Sequence, residues 1–132
     1  MGVRRHEDLV CWQLAMQLHE RVVALAAGEG IRQDRKFRDQ LLSSCGGAAP
    51  NIAEGFARYS KGEFSRFLRY ALASLAEAKT HLQQGRQRGY LSIEEYEEAM
   101  SLARRSAAAT AKLRRSIPGP PEPVTRNGST DR

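Results

Sequence analysis

The sequence is poor in the side chains that metal centres and covalent catalysis use, with two cysteines and three histidines among 132 residues. His6, His19 and His81 are scattered, and no pair of them stands at metal-binding spacing. HExxH, a paired CxxC and a glycine-rich loop after a strand are all missing. So is any Glu-x-x-His of the kind that di-iron bundles turn inward. Glu77 and His81 are four apart, and the helical count places them together on a polar face as a solvated pair. An enzyme is therefore the function class the sequence supports least, and no metal or cofactor is expected. Cys11 and Cys45 both fall inside apolar helical patterns and read as small buried hydrophobes. No apolar run approaches the roughly 20 residues of a membrane-spanning helix. The first ten residues also lack the apolar stretch of a signal peptide. The expectation is a cytoplasmic protein with no membrane association. Strand-like alternation of useful length is absent too, so no sheet is expected.

What the chain does have is helical period. Over residues 8–27, Cys11, Leu14, Leu18, Val22 and Leu25 recur at spacings of three and four, one face of a helix. A second stripe, Leu9, Trp12, Met16 and Val23, lies about 150° round the same helix at about 100° per residue. A surface helix needs only one stripe. The second predicts either deep burial or contact with another subunit, which makes these four residues candidates for an oligomer interface. Gly28 and Gly30 then end the helix.

Residues 34–59 place Phe37, Leu41, Cys45, Ala48, Ile52 and Phe56 on one face, with Gly46, Gly47 and Pro50 in the middle. A mid-helix proline clashes with the carbonyl four residues earlier. That residue is Gly46, which adds no side-chain obstruction, so one kinked helix is expected rather than two. The third segment opens on Ser60-Lys61-Gly62-Glu63, a capping-box pattern. Phe64, Phe67, Leu68, Ala71, Leu75, Ala78 and Leu82 form its apolar face, and Gly89 closes it. The fourth begins with a second box, Ser92 to Glu95, and gathers Glu94, Glu95, Glu97 and Glu98 at its positive start. Arg104, Arg105, Lys112, Arg114 and Arg115 occupy its later turns, where cations are favoured; its apolar stripe, Tyr96, Met100, Ala103, Ala107 and Leu113, is thinner. Residues 118–132, rich in proline and polar side chains, are expected to be a disordered tail. Residues 1–117 are long enough for one core. Four helices on short loops predict an all-α, antiparallel up-down-up-down bundle.

The net charge is +6 and the pI about 9.8, a balance that favours acidic partners such as nucleic acid. The excess is concentrated. Residues 60–89 carry Lys61, Arg66, Arg69, Lys79, Arg86 and Arg88 against Glu63 and Glu77 only. Arg66, Arg69 and Arg88 fall opposite the third helix's apolar face, with Arg58 and Lys61 close to its start. These five are the candidates for nucleic-acid contact; the alternative is that they only solvate the outside.

The most unusual segment runs from Pro50 to Arg58. Ile52 and Phe56 are core by period, while Asn51 and Arg58, seven apart, share another face. Glu54 stands four before Arg58, a favourable order worth a few tenths of a kcal/mol when exposed. That is too little to explain a constellation built around Gly47, Gly55 and Pro50. Two readings stay open: close packing with cross-helix polar bonds, or direct binding of a partner. Asn51-Ile52-Ala53-Glu54-Gly55 followed by Arg58 resembles the signature of the bacterial four helix bundle protein family. That family includes proteins encoded by intervening sequences of large-subunit ribosomal RNA genes, and the accessory variability proteins of diversity-generating retroelements. The likeness extends through Glu7-Asp8-Leu9, Trp12-Gln13-Leu14-Ala15, Gln40-Leu41, Glu63, Phe67-Leu68, the run from Ala71 to Glu77, and Gly89-Tyr90-Leu91. The resemblance implies an antiparallel bundle assembled as a homo-oligomer, typically a homopentamer ring. For the retroelement branch it implies binding to RNA or DNA and to a reverse transcriptase; for most other members it implies no established activity. Leu42 and Ser43 stand where relatives often carry a basic pair, which weakens any transfer of nucleic-acid contacts to the second helix. Relatives also tend to place the proline one residue earlier than Pro50. The leading expectation is a non-enzymatic oligomeric adaptor that engages nucleic acid through basic helix faces. The alternative is a structural or protein-interaction module with no nucleic-acid role.

Overall fold

The structure is a computed structural model that describes residues 2–118, so the expected tail falls, apart from Pro118, outside the described residues. A single 3-10 turn at His6–Asp8 leads into α1 (Val10–Leu25), whose main stripe of Cys11, Leu14, Leu18, Val22 and Leu25 is buried throughout. The second stripe divides. Leu9 is buried in the chain's own core, and Trp12 is half-buried with its ring edge-on to His6 at 5.1 Å. Met16 and Val23 are 41% and 51% exposed. Gly28 does not terminate α1 in the left-handed conformation. It is extended, at φ −64° and ψ 152°, and caps the start of a short helix, α2 (Glu29–Gln33), where the sequence suggested only a stop. Gly30 sits inside that helix with the Tyr90 ring against it, and a β-carbon there would come within 2.7 Å of the ring.

The middle segment is two helices, α3 (Arg35–Cys45) and α4 (Ala48–Phe56), rather than one kinked helix. The break falls at Gly46–Gly47, ahead of the proline. Pro50 is thereby the third residue of α4, in the first turn, where backbone N–H groups have no intrahelical acceptor to lose. Asn51 completes the arrangement, its Nδ2 donating to the Gly47 carbonyl at 2.8 Å.

Two long helices follow, α5 (Lys61–Gln87) and α6 (Ile93–Ser116). Ser92 and Glu95 form the full reciprocal box. At α5 only half of it forms: Ser60 Oγ accepts from the Glu63 amide, while the Glu63 carboxylate turns to Arg58 and Arg66. Gly89, at φ 79°, makes the left-handed turn between the two helices.

With α3 and α4 counted as one rod, the molecule is a four-helix bundle, and no strand occurs among the described residues. Cross-links fix the directions. Ser106 Oγ donates to the Cys11 carbonyl (3.1 Å) and Arg21 meets Glu98 (2.8 Å), so α1 runs antiparallel to α6. Arg114 Nε meets the Ser65 carbonyl (3.2 Å), so the end of α6 lies beside the start of α5. Leu18, Val22, Leu41, Ile52, Leu68, Leu75, Leu82 and Met100 fill the centre.

Candidate nucleic-acid interface

The signature segment forms the joint between α4 and α5. Ile52 is fully buried, Ala53 half-buried, and the Asn51 side chain bonds back to the Gly47 carbonyl. Gly55 is where the two helices approach: a β-carbon there would lie 2.7 Å from Phe67 Cβ and 3.3 Å from the Phe64 carbonyl oxygen. Across the joint, Arg58 donates to Glu54 at 2.6 Å, reaches Glu63 at 3.7 Å, and lies over the Phe67 ring at 4.9 Å. Arg66 meets Glu63 from the other side at 3.9 Å, and Phe67 stands edge-on to Tyr70 at 5.4 Å.

Of the five cations named from sequence, Arg58, Lys61, Arg66 and Arg69 come together at this joint and the first turns of α5. Arg58 and Arg66 are paired as described. Lys61 and Arg69 are exposed and make no ion pair with any described residue. Arg88 stands apart, at the other end of a 27-residue helix about 40 Å long. There it donates to Asp34 at 3.0 Å and lies over the Phe37 ring at 4.9 Å. Asp34 also accepts from the Tyr90 hydroxyl (2.6 Å) and caps α3 through the Phe37 amide. The Tyr90 hydrogen bond, then the Phe37 amide, hold the Asp34 carboxyl below the ordinary carboxylate value, and Arg88 adds to the effect. The same hydrogen bond raises the Tyr90 hydroxyl. This cluster latches the start of α3 to the α5–α6 turn.

One cation that the sequence assigns only to the helix dipole, Arg114, belongs beside the joint. Arg114 donates to both the carbonyl (3.2 Å) and hydroxyl (3.1 Å) of Ser65, drawing the last turns of α6 against the first turns of α5. Lys112 and Arg115, both exposed, stand on the same last turns of α6, with Lys112 lining the groove against the first turn of α1. The signal was available: an antiparallel hairpin turning at Gly89 pairs residues near 65 with residues near 114.

Elsewhere the polar residues are structural. His81 does not stand with Glu77 as a solvated pair; it is half-buried and its Nδ1 lies 2.7 Å from Ser44 Oγ, across the α3–α5 seam. Ser74 Oγ donates to the Ser44 carbonyl at 2.8 Å in the same seam. Both cysteines are buried; burial pushes the Cys45 thiol up to about 12 and raises Cys11 as well. Among the described residues no three His, Cys, Asp or Glu side chains gather as a metal ion would require, and no helix is long and apolar enough to cross a membrane.

The fold and its signature joint define an antiparallel all-α bundle in which the conspicuous motif sits at a helix–helix contact. Residues 7–112 match the family described as 23S rRNA-intervening sequence protein, and the chain belongs to that family. Among solved structures it is similar to a protein of unknown function from the S23 ribosomal protein family of Bacteroides thetaiotaomicron. The two superpose with a TM-score of 0.74 at 18% identity, covering 81% of this chain and all of that one, a likeness of fold. No curated protein matches the chain.

Proposed function

We propose that the protein is a non-enzymatic binding protein that engages nucleic acid through the basic end of its bundle. The observation that supports this most is the clustering of Arg58, Lys61, Arg66 and Arg69 at the α4–α5 joint, against which Arg114 draws the end of α6. Cations collected by folding onto one end of a basic molecule raise the local potential for a polyanion. Arg88 is left out of the surface, because it is engaged with Asp34 at the far end. We further propose that the bundle self-associates, with the outward Met16 and Val23 of α1 in the contact; Leu9 is already enclosed within the chain.

Phosphate contacts make affinity fall linearly in log K against log salt. Fluorescence anisotropy with labelled single-stranded RNA and duplex DNA, titrated across ionic strength, is the direct test. Salt-sensitive binding that weakens in Lys61→Ala/Arg69→Ala is the expected result. Absence of salt-sensitive binding to either probe at low ionic strength would leave these charges as solvating groups and overturn the reading.

A further inference from the structure

The joint carries aromatic rings as well as charge, and on that reading of the basic end we infer that its ligand is single-stranded nucleic acid, held by base stacking on Tyr59 and Tyr70. Tyr59 sits in the turn between α4 and α5, flanked by Arg58 and nearly adjacent to Lys61, and is fully exposed (106%). A tyrosine ring with no intramolecular cover gives the fold nothing, and it is the largest apolar surface that the joint shows to solvent. Tyr70 is 44% exposed, and its ring is not loose. Phe67 holds it edge-on at 5.4 Å, and Phe67 is itself covered by the Arg58 guanidinium at 4.9 Å. Arg66 stands one turn before Tyr70 on the same helix face, with Arg69 beside it. Cations interleaved with presented rings are the arrangement by which proteins hold single strands, phosphates on the charges and bases on the rings.

The charge balance separates this ligand from a duplex. Glu54 and Glu63 already partner Arg58 and Arg66, so at the joint phosphate falls chiefly to Lys61 and Arg69, and the rings add what charge does not supply. A duplex, whose bases are stacked on one another, offers the two tyrosines nothing. A single strand offers every base face, and each stacked base is worth about ten- to a hundred-fold in affinity by alanine substitution. Stacking does not read the sugar, so RNA and DNA strands share this chemistry.

The test uses the full chain and fluorescence anisotropy at one fixed salt. The probes are a labelled oligouridylate, an oligothymidylate and a duplex of matched charge. The expected result is preference for both single strands over the duplex. Tyr59→Ala and Tyr70→Ala each lose about ten-fold or more on the strands, with duplex binding and the salt slope unchanged. Tyr59→Phe and Tyr70→Phe retain binding, since the ring and not the hydroxyl does the stacking. Equal or tighter duplex binding overturns the inference. So does unchanged strand affinity in both alanine variants, and if Lys61→Ala/Arg69→Ala still weakens binding there, the nucleic-acid reading survives alone. Absence of binding to all three probes sinks both. Tyr59 makes no contact the fold relies on, so Tyr59→Ala keeps the test decisive if Tyr70→Ala loses its thermal unfolding transition.

Discussion

Gly55 leaves no room for a side chain: the first atom beyond its α-carbon would meet Phe67 Cβ and the Phe64 carbonyl, neither of which can swing away. Overpacking of this kind costs about 1–3 kcal/mol, against a gain in helix propensity of about 1 kcal/mol from replacing glycine. Gly55→Ala should therefore lower the midpoint of urea unfolding with an unchanged m-value; a raised midpoint would mean that α4 and α5 separate readily. Asp34 gives the residue scale a pH signature. Its folded carboxyl is depressed below the 3.8 of an unperturbed aspartate, so its contribution is present above that value and is lost as pH falls through the folded one. Urea midpoints at pH 6 and pH 3 should differ less in Asp34→Asn than in the wild type. Tyr90 works in the opposite sense: its raised hydroxyl contributes below the ordinary value of 10.0 and its contribution is lost as pH rises past it. Close packing at Gly55 was one of the two readings that the sequence left open, whereas the Asp34–Tyr90 pairing was not legible there. Asp34 and Tyr90 are 56 residues apart, and helical period says nothing about which loop meets which cap.

At the scale of elements, the broken second rod shows where sequence reasoning reached its end. The apolar faces of α1, α3 and α5 are periodic and were readable, down to Leu75 and Leu82 at the centre of the core. The α3–α4 break was not, because the proline points to a kink at Pro50 while the chain breaks earlier, at two glycines. Gly47 has a further reason to lack a side chain: Ser74 of α5 fills the space, and Ser74 donates to the Ser44 carbonyl. Gly47→Ala should destabilise by displacing that serine. Gly47→Ala combined with Ser74→Ala should cost less than the two single changes together, a coupling that a double-mutant cycle of unfolding free energies measures. Strict additivity would place the strain elsewhere. α2 escaped notice for a related reason: Gly28 and Gly30 look like stops until a ring from the α5–α6 turn is laid against them.

For the whole molecule, antiparallel order decides which charges meet. Counting along single helices grouped Arg88 with Arg66 and Arg69, since they share a polar face. The fold separates them by most of the length of α5 and brings Arg114, not Arg88, against the first turns of α5 through its contact with Ser65. Self-association belongs to this scale as well. Met16→Glu/Val23→Glu should shift the mass measured by light scattering towards the monomer, and an unchanged mass would move the contact off this face of α1.

Val10 and Ser116 line one groove between the first turn of α1 and the last of α6. The bundle therefore opens and closes at the same place, next to Lys112 and the α4–α5 joint. A reporter dye belongs at the opposite pole, on the exposed turn around Gly89, where it can watch the molecule without covering its candidate working surface.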